Sequence, residues 1–183
     1  MRATNIKYKI RIKKYRSYRG NVASNILSRD FSAEKPNQKW VTDVTEFTFF
    51  GEKLYLSPVL DLFNSEIIAY TFKLRPTYEL VYQAFEHLAL GEKPILHSNQ
   101  GWHYQMGKYK KALDNRYLTQ SMSHKGNCLD HAVIENFFEI LKTGYFISRN
   151  SMNISFYYNQ KRMKSKLKDM IPVKYRIYAQ QAD

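Results

Sequence analysis

Cysteine is almost missing from this chain: Cys128 is the only one in 183 residues. That excludes a disulfide framework and a cysteine-based zinc site, and it fits a reducing, cytosolic setting. No apolar run approaches the roughly 20 residues needed to cross a bilayer. The opening Met1-Arg2-Ala3-Thr4-Asn5 is basic but lacks the apolar stretch of a secretory signal. There is no internal repeat and no low-complexity run. Acids are also in short supply, 16 against 29 Lys and Arg, which leaves a formal charge of +13. Such an excess points to a polyanion, nucleic acid ahead of an anionic membrane surface. Against these absences, 44% of the residues are hydrophobic and 15% aromatic, enough to bury the core of one ordinary domain with a small appendage.

The charge is concentrated at the ends. Residues 1–30 hold nine Lys and Arg and a single acid, Asp30. Residues 149–183 hold eight bases against Asp169 and Asp183. Between them, 12 bases nearly balance 13 acids. Tyr8, Tyr15 and Tyr18 interleave with the first cluster, and Tyr157, Tyr158, Tyr175 and Tyr178 with the second. Basic side chains neutralise phosphates, and flat rings lie along sugars or stack on exposed bases. The division expected is a basic N-terminal arm over 1–35, a nearly neutral core over 36–146 and a basic tail over 147–183. The arms contain no amphipathic basic helix of useful length, which argues against a membrane surface.

Local pattern gives the order of elements in the core. Glu34-Lys35-Pro36-Asn37-Gln38 breaks the chain before a run from Trp40 to Phe50 that is rich in β-branched and aromatic residues. Gly51-Glu52-Lys53 and Asn64-Ser65 are turn signals that separate strands over 54–63 and 66–72, predicting an antiparallel meander. From Tyr78 to Leu90 the apolar residues shift to helical spacing. A short strand over 94–98, a helix over 101–113, a strand over 117–122 and a helix from Asp130 follow. In that last helix Ile134, Phe137, Phe138 and Leu141 share one face. The order β-β-β-α-β-α-β-α predicts a mixed sheet with helices on its faces. A final helix is expected over 156–167, broken at Pro172.

Few carboxylates sit inside apolar segments. Asp43 does, on a strand face shared with Val41, Thr45 and Phe47. Burial there requires a positive offset, unless that face is wet. Glu135 falls at the margin of an apolar helical stripe, a place where a glutamate is by itself an ordinary solvated residue. Asp61 and Asp114 have no context that raises them. His97-Ser98-Asn99-Gln100-Gly101-Trp102-His103 ends the fourth strand, where sites collect in such sheets. His97 and His103 are open to a metal role, though scattered histidines are more often plain hydrogen-bonding residues, and His87 and His131 add no zinc-ligand spacing.

Taken in order, these residues carry a resemblance. Trp40-Val41-Thr42-Asp43-Val44-Thr45 resembles the W-x-x-D-x-T opening of the integrase catalytic core. More closely, the chain is similar to the second-frame (orfB-type) transposases of bacterial insertion sequences in the retroviral-integrase superfamily. His97 to Tyr104 is similar to H-S-D-x-G-x-x-Y. Gln120 to Ala132 is similar to S-M-S-R-K-G-N-C-x-D-N-A. Ile134-Glu135-Asn136-Phe137-Phe138 with Leu141-Lys142 matches E-x-F-F-x-x-L-K. Tyr157-Tyr158-Asn159-Gln160-Lys161-Arg162 with Pro172-Val173-Lys174-Tyr175-Arg176 matches Y-Y-N-x-x-R…P-x-x-Y-R.

The resemblance implies a ribonuclease-H-like α/β fold: a mixed five-stranded sheet of three antiparallel strands, then alternating helix and strand, with flanking helices and basic terminal arms. It implies a DDE-type polynucleotidyl transferase, in which three acids hold two Mg²⁺ or Mn²⁺ ions while DNA is cut and rejoined. Asp43 takes the first acidic position, Asn99 the second and Glu135 the third, with 35 residues between the last two. DNA is the implied partner, together with self-association, and no small-molecule substrate. Lys125, Lys142, Lys161 and Arg162 are the candidate phosphate contacts. A cytoplasmic protein held at the nucleoid by DNA follows.

The chain departs from the family pattern in several places. Position 99 is Asn where the family has Asp, so a site for two hard cations loses one negative charge. Weakened metal binding and impaired cleavage are expected. The segment between Phe146 and Tyr157 is shorter than usual. His124 replaces Arg, His131 replaces Asn, Asp169 replaces Gly, and Ile171 replaces Ser or Thr. Met1 falls within the basic segment before the core, so the helix-turn-helix region of longer family members is expected to be missing. The rival expectations are a DNA-binding remnant that interferes with an intact transposase, and an RNA–DNA hybrid nuclease; the Y-Y-N…P-x-x-Y-R tail argues against the second.

Overall fold

A computed structural model describes residues 20–49, 51–86, 88, 93–124, 132–142, 158–160 and 163–182. The strands are β1 (Lys39–Thr42), β2 (Thr45–Phe49), β3 (Glu52–Asp61), β4 (Glu66–Lys73), β5 (Ile95–Ser98) and β6 (Thr119–Met122). The helices are α1 (Tyr78–Glu86), α2 (Gly107–Asp114), α3 (Ala132–Lys142) and α4 (Pro172–Ala182), with a 3₁₀ turn over Ser165–Leu167.

The first two strands are one strand with a break. β1 pairs antiparallel with β3 as Thr42 opposite Val59, and β2 pairs with the same edge as Thr45 opposite Leu56. The pairs are offset by three positions on each side, with two residues between them, so the register runs through the break unchanged. Asp43 and Val44 form the gap. Among the described residues the sheet therefore has five strand positions, in the order β4, β3, β1 with β2, β5, β6. β5 runs parallel to β1 and β6 parallel to β5. This is the expected mixed sheet: an antiparallel hairpin meander followed by parallel strands reached through helices. Gly51, at φ +82°, makes the tight turn into β3, a conformation costly to a residue with a Cβ.

Strand alternation builds two cores. Val41, Phe47, Leu56 and Leu60 face Ile134, Phe137, Phe138 and Leu141 of α3. Trp40, Val59 and Leu96 face the opposite way, against Val81, Ala84 and Phe85 of α1 and Tyr109 and Leu113 of α2. The side-chain period of 2 in the strands thus dictates which helix covers which face.

Three expectations are corrected. The helix predicted from Gly101 starts at Gly107. The Tyr104 N–H bonds the Gly101 carbonyl, and Gln105 and Gln120 side chains take the Gln100 and Tyr104 carbonyls, so this backbone is committed to a turn. The helix predicted over 156–167 is replaced, where described, by helical residues 158–160 and the 3₁₀ turn. Pro172 opens α4 rather than ending a helix; its fixed φ and missing N–H suit the first helical position. The C-terminal end of the helix expected over 78–90, the Asp130 cap and the shortened segment after Phe146 lie outside the described residues, apart from Leu88.

Segments on both sides of the core are docked on it. The Met122 N–H bonds the Ser24 carbonyl, and the Ile26 N–H the Ser121 hydroxyl, so residues 20–27 lie along β6 with Leu27 buried. At the other end, Asn159 pairs with both backbone groups of Ile67, accepting from its N–H at 2.9 Å and donating to its carbonyl at 2.8 Å. No described helix is long and apolar enough to cross a membrane.

Candidate active site

Sheet register assembles the site. β1 and β5 are parallel, with Val41 opposite His97. Two residues further along each strand, just beyond the paired ends, position 43 lies opposite position 99. The Asn99 amide nitrogen donates to Asp43 Oδ1 at 2.6 Å. The same carboxylate oxygen accepts the Val44 N–H at 2.7 Å, which is where the β1–β2 strand breaks. The Asn99 carbonyl oxygen accepts the Gly101 N–H at 2.7 Å. A Cβ at position 101 would stand 2.8 Å from that oxygen and 3.3 Å from the Tyr104 ring, so a larger residue there would push the Asn99 side chain aside.

Asp43 lies on the strand face that α3 covers. Burial pushes its carboxyl up to about 6; the Val44 N–H and the Asn99 amide oppose the rise, and the negative charge of Glu135 adds to it. Glu135 is exposed in the first turn of α3. Its charge acts on Asp43 across space, with no hydrogen bond between the two among the described contacts. Behind Asp43, the Tyr104 hydroxyl is fully buried beside the hydroxyls of Thr42 and Ser57, and burial together with the Asp43 charge raises its pKa well above the ordinary phenol range. Three residues beyond Asn99, Trp102 is 41% exposed and stacks on His103 with ring centroids 3.8 Å apart.

The expected phosphate contacts divide. Lys142 is exposed at the end of α3. Lys125, Lys161 and Arg162 lie outside the described residues, as do His131 and the sole cysteine. His124 is exposed just past β6.

Two hard cations need several anionic oxygens in near-octahedral arrangement. Asn99 brings no charge, and its carbonyl oxygen is already bonded to Gly101. Among the described residues no three His, Cys, Asp or Glu side chains are grouped to hold a metal. As paired here, Asp43 and Asn99 together offer such ions one carboxylate.

Sequence reasoning missed a second carboxylate. Asp61, given no role from its context, has a side chain with no exposure and is bonded to Arg176 Nη2 at 2.6 Å. It also accepts the Asn37 and Phe63 N–H groups. Arg176 Nε lies 2.9 Å from Glu66. The partner is 115 residues away in the tail, so no local pattern could announce it. The available signal was the R of the P-x-x-Y-R motif, placed among DNA-facing charges instead.

The fold and the juxtaposed ends of β1 and β5 define an integrase-type, ribonuclease-H-like catalytic core. The integrase core domain family matches residues 33–128. The chain is 49% identical to InsK, a transposase assigned to insertion sequence element IS150 of Escherichia coli K12, over 96% of this chain and 68% of that protein. It is 46% identical to an uncharacterized transposase-like protein of Haemophilus influenzae, over 93% of this chain and 87% of the other. In structure it resembles the HTLV-2 integrase catalytic core domain solved with magnesium, with TM-score 0.63 at 17% identity over 79% of this chain and 99% of that one. The chain belongs to the integrase-core family of insertion-sequence transposases.

Proposed function

We propose that this chain is a transposase catalytic core that still holds DNA but has lost most of its metal-dependent strand cleavage and transfer. The observation that carries the reading is the Asn99 amide bonded to Asp43 where the family places a second carboxylate. Asp43, Asn99 and Glu135 are assigned as the three site positions. Mg²⁺ or Mn²⁺ is the implied cofactor, weakly bound for want of one negative charge.

DNA is the proposed partner. The basic residues before Gly20 and the exposed Lys166, Lys168 and Lys174 of the tail support phosphate contact. Lys125 and Lys142 are assigned to phosphate contacts close to the site, and Lys161 and Arg162 to contacts from the tail. Residues 1–35, 36–146 and 147–183 are proposed as arm, core and tail, and self-association and residence at the nucleoid belong to the same reading. The Asp43–Asn99 bond also favours a second reading, a non-catalytic DNA-binding remnant that competes with an intact transposase for DNA.

Duplex binding measured by fluorescence anisotropy across salt concentrations tests DNA retention. With on the order of five phosphates neutralised, the logarithmic slope should be about −4 to −5. Salt-independent binding, or none at low salt, would sink the proposal.

A further inference from the structure

We infer that the Asn99 side chain stands in for a bridging cation, tying the ends of β1 and β5 together and thereby keeping metal out. The inference rests on the assignment of Asp43 and position 99 as metal positions and goes beyond the loss of charge. Asn and Asp have the same shape. With Asp at 99 in this geometry, the 2.6 Å contact would set one carboxylate oxygen against another. Two carboxylates so placed must share a proton or a cation. The amide N–H of Asn99 supplies the positive end of that bridge.

The amide orientation is fixed by its neighbours. The Gly101 N–H can only donate, so the carbonyl oxygen of Asn99 must face it. An ionised Asp43 can only accept, so the amide nitrogen must face Asp43. Flipping the group would break both bonds. Gly101 supplies the seat, since a Cβ there would strike the Asn99 oxygen. A metal reaching Asp43 Oδ1 must therefore displace an amide that is held at both ends. Asn99 should be a worse residue for metal than no side chain at all.

The test uses the full chain and its Asn99→Asp and Asn99→Ala variants, with Asn99→Ser as a substitute should the alanine variant not fold. Mn²⁺ affinity is read by calorimetry, and the thermal midpoint is read in chelator and in Mg²⁺. The parent midpoint should not move with metal. Asn99→Asp should melt lower than the parent in chelator and rise with Mg²⁺. Asn99→Ala should bind Mn²⁺ more tightly than the parent by roughly five- to tenfold, the factor one hydrogen bond is worth. If Asn99→Asp gains metal but Asn99→Ala binds no better than the parent, the stand-in is refuted and the metal assignment survives. If Asn99→Asp gains neither metal affinity nor metal-dependent stability, the assignment of the site and the inference both fall.

Discussion

Asp61 shows what one distant residue can do. Its carboxylate has no exposure, and burial is the main reason its pKa is raised; the Asn37 and Phe63 N–H groups and the Arg176 guanidinium oppose that rise. Truncating Arg176 to Met leaves a buried charge without its cation, which costs about 3–5 kcal/mol. Urea denaturation should show that loss, and Arg176→Lys should recover only part of it, since a lysine cannot reach Asp61 and Glu66 with a planar fork. His103 makes the opposite kind of demand. Burial lowers its pKa against the bond from its ring to the Pro76 carbonyl, 2.8 Å away. The unfolded chain binds a proton below about pH 6.5 that the folded chain resists. The His103 contribution is therefore complete above that pH and is lost as pH falls below it. His103→Gln should reduce the fall in unfolding free energy between pH 7 and about pH 5.5 relative to the parent. Asp169 sits at φ +56° directly after Lys168 at φ +52°. Asp169→Gly should raise stability by up to about 1 kcal/mol through relief of that conformation.

Among the elements, the tail is a clamp on the β3–β4 hairpin. Asn159 mimics a strand partner for Ile67, next to the register shift between Val59 and Leu60. Asn64 donates to the Pro172 carbonyl. Lys164 bonds the Ser65 carbonyl and the Tyr158 hydroxyl, and Tyr175 packs on Phe63 with ring centroids 5.5 Å apart. Asn159→Ala strips both partners from a buried backbone unit, so a loss of about 2–4 kcal/mol is expected in the unfolding free energy. The strands were legible because β-branched and aromatic runs end at Gly51 and Asn64-Ser65. The faces of α1 and α3 were legible because Leu80, Val81, Ala84 and Phe85, and Ile134, Phe137, Phe138 and Leu141, recur at helical spacing. The break at Asp43 was not legible, since only the Val44 N–H and the neighbouring β5 end create it. Nor was the tail. Its polar residues find their partners 92 to 115 residues away, and period-based reading sees only what recurs nearby.

For the whole molecule, the structure revises what the charge of +13 is for. The tail bases are not all free for DNA, because Arg176 and Lys164 are spent inside the fold. Residues 20–27 run along β6 and are anchored to Gln105, whose side chain accepts the Gly20 N–H and donates to Gln100 beside the site. Gly20 is thus anchored at the margin of the loop that carries Asn99. The proposed function thus combines DNA retention with an amide, Asn99, at the second site position. Nicking of supercoiled plasmid in Mn²⁺ or Mg²⁺, by the parent and by Asn99→Asp at matched DNA occupancy, tests that combination most directly. Restoring the carboxylate should return several kcal/mol of charge stabilisation, a rate at least about a hundredfold above the parent. Robust nicking by the parent, equal to that of Asn99→Asp, would contradict the account.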